Sequence, residues 1–144
     1  MKALVLAGGF PQIELIKELK RRSYTVILAD YYAEPVAKKY ADIFYQVSTL
    51  DVDAITKVAK DENVSFLTTV CTDQALLTVA KVSEILGLPC YIDYQTALNV
   101  TNKAYMKKVF EENKISTAKH IVMKELNFDK INFLWFSVIV IVFY

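Results

Sequence analysis

Apolar and polar positions in the first hundred residues alternate between two periods. Ala3 to Ala7 is an unbroken apolar run ending in Gly8-Gly9, after which Pro11 stands at a position suited to the start of a helix and Ile13, Leu15, Ile16 and Leu19 continue at helical spacing. Strand, turn and helix are predicted there. Tyr24 to Ala29 is a second strand-like run ending at Asp30, Pro35 opens a short helix through Val36, Ala37 and Tyr40, and Ile43 to Val47 reads as a third strand. Asp51 stands as an N-cap before the stripe Val52, Ile55, Val58 and Ala59. Val64 to Val70 is the next buried run, and Thr72 and Asp73 begin a long helix that Gly87 closes and Pro89 keeps from continuing. Cys90 to Ile92 is expected as a fifth strand and Thr96 to Val100 as a helical turn. Strands that are apolar throughout imply a sheet covered on both faces, and single helices between them imply right-handed parallel crossovers. The expected fold class is α/β: a Rossmann-like, doubly wound parallel sheet of about five strands.

After Thr101-Asn102 the rhythm changes. Lys103 to Asn113 reads as an amphipathic helix with Tyr105, Met106, Val109 and Phe110 on the apolar face and Lys107, Lys108, Glu111 and Glu112 solvated. Ile115 to Val122 is expected to be extended, and a polar stretch from Lys124 to Asn132 precedes an uncharged run, Phe133 to Tyr144. A membrane-spanning helix needs about 20 apolar residues, so this run is too short to cross, and its β-branched side chains favour a strand. The expected division is residues 1–100 as one domain and 101–144 as the beginning of an incomplete second one.

Composition narrows the function classes. With 54% hydrophobic and 23% charged residues in 144, the chain can build one packed core, and three Gly with three Pro leave no low-complexity linker. Seventeen Lys and Arg against sixteen Asp and Glu give a net charge of +1, so bulk electrostatics favours neither nucleic acid nor an anionic membrane as partner. Cys71 and Cys90 have no nearby histidine, the single histidine being His120, so neither a disulfide framework nor a zinc site is expected. The N-terminal apolar run is too short for a signal peptide, which predicts a cytoplasmic protein.

In an open parallel sheet, ligands gather outside the carboxyl ends of the strands. The candidates there are Gly8-Gly9-Phe10-Pro11-Gln12, then Asp30, then Cys71, Thr72 and Asp73. Gly8 and Gly9 let a ligand approach the backbone, and the following helix would turn free N–H groups and its positive dipole end toward an anion; a tight turn without a ligand is the plain alternative. The dinucleotide fingerprint wants a third glycine where Ile13 and Glu14 stand. Asp30 is placed where a ribose-binding acid would stand, or it caps its own turn. Thr72 and Asp73 offer a hydroxyl and a carboxylate, or an N-cap pair. Cys71 is expected to be a small buried packing residue, a reactive thiol being the other reading, His120 has no assigned role, and Ser137 lacks the G-x-S-x-G context of a nucleophile.

Taken in order, Ala7-Gly8-Gly9 with Gln12, Asp30, Ala41-Asp42, Thr72-Asp73, Gly87-Leu88-Pro89, Thr101-Asn102-Lys103 with Met106, and Ile115-Ser116-Thr117 resemble the N-terminal part of ATP-grasp ligases. The nearest flavour is that of the carbamoyl-phosphate synthase large-subunit-like and biotin carboxylase-like group, over residues 1 to 125. The resemblance implies a Rossmann-like pre-ATP-grasp domain that helps hold a carboxylate substrate at Gly8, Gly9, Gln12, Asp30, Thr72 and Asp73. ATP and magnesium bind between two later subdomains in that family, the acid is activated as an acyl phosphate, and an amine attacks it. Lys103 matches the lysine that reaches the nucleotide phosphates.

The departures bear on activity. Asn102 stands where the family commonly has aspartate, and Ile141 and Val142 stand where a Lys-Pro strand end would supply a second phosphate contact. No glycine follows Gly87 from which a phosphate loop could be made. The expectation is therefore a substrate-side domain with a truncated beginning of the catalytic part, inactive alone and binding neither ATP nor magnesium strongly. The apolar tail, lacking neighbouring strands, would promote self-association. Two other readings stay open: a stand-alone nucleotide- or dinucleotide-binding module using Gly8, Gly9 and Asp30, and an interaction protein whose terminal strand docks into a partner's sheet.

Overall fold

The computed structural model describes residues 1–118, 120–123 and 138–141. The chain divides into two compact units, Met1–Ala97 and Leu98–Tyr144. In the first unit β1 (Lys2–Leu6), α1 (Phe10–Arg21), β2 (Thr25–Asp30), β3 (Ile43–Gln46), α2 (Val52–Asp61), β4 (Phe66–Thr68) and α3 (Asp73–Leu86) follow in order, with one 3-10 turn at Lys38–Tyr40 before β3. The strands pair in the order β3-β2-β1-β4, every neighbour parallel. The fold is the expected α/β, Rossmann-like parallel sheet.

The apolar strands are buried because each face has its own cover. Leu4, Leu6, Ile27 and Ala29 pack with Ile55, Val58 and Ala59 of α2 and Ala75, Val79 and Val82 of α3. Their neighbours in the strands, Ala3, Val5, Val26 and Leu28, pack with Ile16 and Leu19 of α1 and with Ala37 on the other face. The register aligns Leu4 with Ile27 and Val5 with Leu28, so the two sets stay on their own sides across the ladder.

Helix ends follow local chemistry. Asp51 Oδ1 accepts from the Ala54 amide at 3.0 Å to cap α2, and Gly87 closes α3 at φ +63°, the left-handed C-cap that glycine adopts without strain. Asp42 holds the sheet's edge: its Oδ2 accepts from the Val26 amide at 2.8 Å and its Oδ1 pairs with Lys20 at 2.6 Å.

The fifth strand expected at Cys90 to Ile92 does not form; that segment is irregular and leads into α4 (Tyr94–Thr101). Pro89 brings no N–H to a ladder, and β4 ends after three residues, with the Val70 carbonyl beyond it already engaged by Gln12 and Thr72.

In the second unit α5 (Lys103–Glu112) is capped by Asn102, whose side chain accepts from the Tyr105 amide at 3.1 Å. Two short parallel strands follow, β5 (His120–Met123) and β6 (Val138–Ile141), with His120 opposite Val138 and Met123 opposite Ile141. The tail was expected to lack a neighbouring strand; β5 is that neighbour. The rest of the apolar run, 133–137 and 142–144 with Ser137 and Val142, lies outside the described residues. Lys107, expected to be solvated, is 8% exposed. Among the described residues no helix is long and apolar enough to cross a membrane.

Candidate functional site

The chain leaves β1 toward β2 on one side, and β4 comes in on the other side of β1. The loops after β1 and β4 therefore part, and parallel sheets open a crevice at such a switch point. An open cavity of about 750 Å³ lies there, lined by Gly8, Gly9, Gln12, Asp30 and Thr72 among others. Five of the six residues expected to hold substrate thus meet in one place. Asp73 does not line it; it is exposed in the first turn of α3, where a carboxylate complements the helix dipole.

Several of these residues are committed to building the loop. Asp30 is 8% exposed, and both its oxygens are engaged: Oδ2 accepts from the Gly8 amide at 2.6 Å and Oδ1 from the Tyr32 amide at 2.8 Å. It caps its own turn and clamps the loop after β1 to the end of β2, as charge-assisted bonds to buried amides do. Gly8 is demanded by packing, since a Cβ there would stand 2.6 Å from Pro35 Cβ. Gln12 ties the two diverging loops, its Nε2 donating to the Val70 carbonyl at 2.6 Å and to Thr72 Oγ1 at 3.2 Å. Thr72 occupies the N-cap position of α3, yet its hydroxyl turns to the Val70 carbonyl instead of capping.

Gly9 is different. It is the N-cap of α1, in ordinary extended geometry at φ −77°, with no side-chain cap, and Pro11 follows as the second helical residue. The first turn of α1 contains no acidic residue, and among the described residues no Lys, Arg or His lines the cavity, whereas Asp30 and Glu34 do. The positive end available to a ligand there is the backbone of the helix start.

Sequence reasoning missed three features of this site. Ala7 and Cys71, just beyond the ends of β1 and β4, hold left-handed conformations at φ 71° and 54°. Non-glycine residues in that region are strained, and such strain gathers at functional loops. Cys71, expected to be buried, is exposed because this bend turns the chain outward before α3 begins. Tyr32, two residues after the end of β2, lines the cavity together with Phe10 of the expected stretch; at 71% and 76% exposed they form an aromatic rim of which only Phe10 was expected there.

Lys103, assigned to nucleotide phosphates by resemblance, is the exposed first residue of α5 in the second unit. In the same unit Lys107 is the buried residue of α5, and its ammonium donates to Thr117 Oγ1 at 2.5 Å and to the Ala118 carbonyl at 3.3 Å. His120 Nδ1 lies 3.7 Å from Glu111 Oε1. Among the described residues no three His, Cys, Asp or Glu side chains are grouped to hold a metal ion.

No model of a known protein family matches the chain, and no curated protein matches it at a significant level. Solved structures do. Phosphoribosylglycinamide synthetase from Anaerococcus prevotii superposes with a TM-score of 0.70 at 23% identity, over 86% of this chain and 32% of that one. N5-carboxyaminoimidazole synthetase from Staphylococcus aureus, complexed with ADP, gives 0.68 at 16% identity, over 87% and 32%. L-amino acid ligase from Bacillus licheniformis gives 0.64 at 18% identity, over 82% and 31%. The chain spans about a third of the length of each. The narrower likeness to carbamoyl-phosphate synthase and biotin carboxylase rests on the sequence motifs alone. What the parallel sheet and these superpositions share is one α/β fold, that of the corresponding third of these synthetase and ligase structures.

Proposed function

We propose that residues 1–100 form the substrate side of an ATP-dependent carboxylate–amine ligase of the ATP-grasp type, and that residues 101–144 are the linking helix and the beginning of its ATP-grasp part. The observation that carries this reading is the cleft at the switch point of a fold shared with such ligases, where Gly9, Gln12 and Thr72 converge. A small-molecule carboxylate entering it meets the amides at the start of α1, which offer hydrogen bonds and a positive dipole end without a competing basic side chain. Gly8 and Asp30 act one step back, by fixing the loop that presents those amides.

In this reading ATP is the second substrate, the acid is activated as an acyl phosphate and an amine displaces the phosphate. Lys103 supplies an ammonium to the nucleotide phosphates. Magnesium has no ligand set among the described residues, so no step is assigned to it. The 144-residue chain by itself is expected not to turn over ATP, because Ile141 stands in place of the second phosphate-binding lysine and no glycine after Gly87 can build a phosphate loop. Self-association through residues 133–144 belongs to the same reading.

The dinucleotide alternative asks Asp30 to hold a ribose while both its oxygens serve backbone amides. One set of measurements separates the readings. The purified chain is incubated with ATP and a panel of carboxylates while ADP release is followed, and it is titrated calorimetrically with NAD. No ADP release and no NAD binding are expected. ADP release would overturn the assignment of inactivity, and saturable NAD binding lost in Asp30→Ala would replace the ligase reading with the dinucleotide one.

A further inference from the structure

Gln12 is 2% exposed, yet its amide is only half used. Its NH2 group must face the Val70 carbonyl, which can only accept, and this fixes the amide oxygen on the opposite side. Among the described residues no hydrogen bond uses Gln12 Oε1. The fully buried side-chain polar atom left without a partner among those residues is Ser83 Oγ alone, so Gln12 Oε1 keeps an opening, and the cavity it lines is where that opening leads. Gly9 keeps it uncovered: a Cβ at that position would stand 3.1 Å from Oε1. The wall of the cleft therefore presents a hydrogen-bond acceptor beside the donor amides of α1.

A plain carboxylate is acceptor on every side and would set a lone pair against Oε1. A carboxylate with a hydroxyl or amino group on the neighbouring carbon satisfies both walls, its acid group taking the backbone amides and its O–H or N–H donating to Oε1. We propose that Gln12 is the specificity-determining residue of this cleft and that it selects small carboxylates carrying such a donor over unsubstituted ones. The proposal rests on the reading of the cleft as a carboxylate site.

Glycolate, free glycine and acetate serve as probes, titrated into the full 15N-labelled chain while the Gly9 and Phe10 amides and the Gln12 side-chain NH2 are followed by NMR. Glycolate or glycine is expected to saturate these shifts at a concentration about tenfold or more below that of acetate, since a site with a placed polar partner rejects the analogue that lacks it. Gly9→Ala is the matched variant: φ −77° suits alanine, and the methyl covers Oε1 at a contact the Gln12 amide relieves by a shift of a few tenths of an ångström. It is expected to keep the thermal midpoint and lose the preference. Equal saturation by all three acids, or a preference that survives in Gly9→Ala, overturns the role of Gln12 and leaves the carboxylate cleft standing. No shifts with any acid overturn both.

Discussion

The two units are anchored in different ways. In the first, α3 buries Ala75, Thr78, Val79, Ala80, Val82 and Ser83, and the strands it covers are enclosed from both faces. In the second, the buried residue of α5 is Lys107, which reaches past its own helix to Thr117 and the Ala118 carbonyl. A parallel sheet is stable when many apolar side chains leave water together, so no single polar contact decides its fate. In the second unit a buried ammonium spans from α5 to a half-buried hydroxyl and an exposed carbonyl, so the tie it makes is polar and partly open to water. The lesson is that the buried residues of a helix can be a broad apolar set, as in α3, or a lysine with polar partners, as among the described residues of the second unit.

The sharpest way to break this contrast is to remove area from the first unit. Ile27→Ala deletes a fully buried side chain from the cluster beneath α2 and α3, and it should cost about 3 to 4 kcal/mol, read from the urea midpoint of the first unit. A loss below about 1 kcal/mol would mean that this face repacks freely. Lys107→Met keeps the stem and removes the donor. It should speed amide exchange in α5 by about tenfold, equivalent to about 1.4 kcal/mol, while exchange in α3 is unchanged. Unchanged exchange in α5 would show that the apolar stem alone anchors the helix.

The smallest effect sharpens the account of the sheet edge. Lys20 beside Asp42, and then the Val26 amide, hold the Asp42 carboxyl below its ordinary range. A group whose pKa is lowered on folding contributes stability above its unfolded pKa and loses it as pH falls through the folded one. Asp42 therefore stabilises the first unit at neutral pH, with the contribution fading below about pH 4. Asp42→Asn should flatten that part of the acid dependence of the urea midpoint and change little else; an unaltered acid limb would assign it to other carboxylates, such as Glu62, which Lys2 and Tyr45 hold low in the same way.

Much of the first unit was legible because its determinants are local. An apolar run reads as a buried strand, Asp51 before an apolar stripe reads as a cap, and glycine at position 87 reads as a helix stop. The fifth strand failed for a reason that is not local: whether Cys90 to Ile92 can pair depends on how far β4 extends, and β4 stops at Thr68, short of the Val70 carbonyl that serves Gln12 and Thr72. Cys71 and Lys107 were misplaced for the same kind of reason. The exposure of Cys71 follows from a left-handed bend, and the burial of Lys107 follows from a partner ten positions later.

The candidate site divides along the same line. Gly8, Gly9, Gln12, Asp30 and Thr72 could be picked out from the sequence because they follow strand ends, and parallel sheets put ligands there. Their duties could not be told apart until the loops were folded against one another. Asp30 and Gln12 are both polar residues beside a strand end, yet tertiary hydrogen bonds use up both oxygens of the first and only the nitrogen of the second. The amino-acid sequence by itself determined the strand and helix order and which residues stand near the cleft, since periodicity and capping act over a few residues. The tertiary structure alone decided which polar atoms are spent on the scaffold and which face the cleft, because a hydrogen bond between residues 12 and 70 or between 8 and 30 exists only once the chain has brought them together.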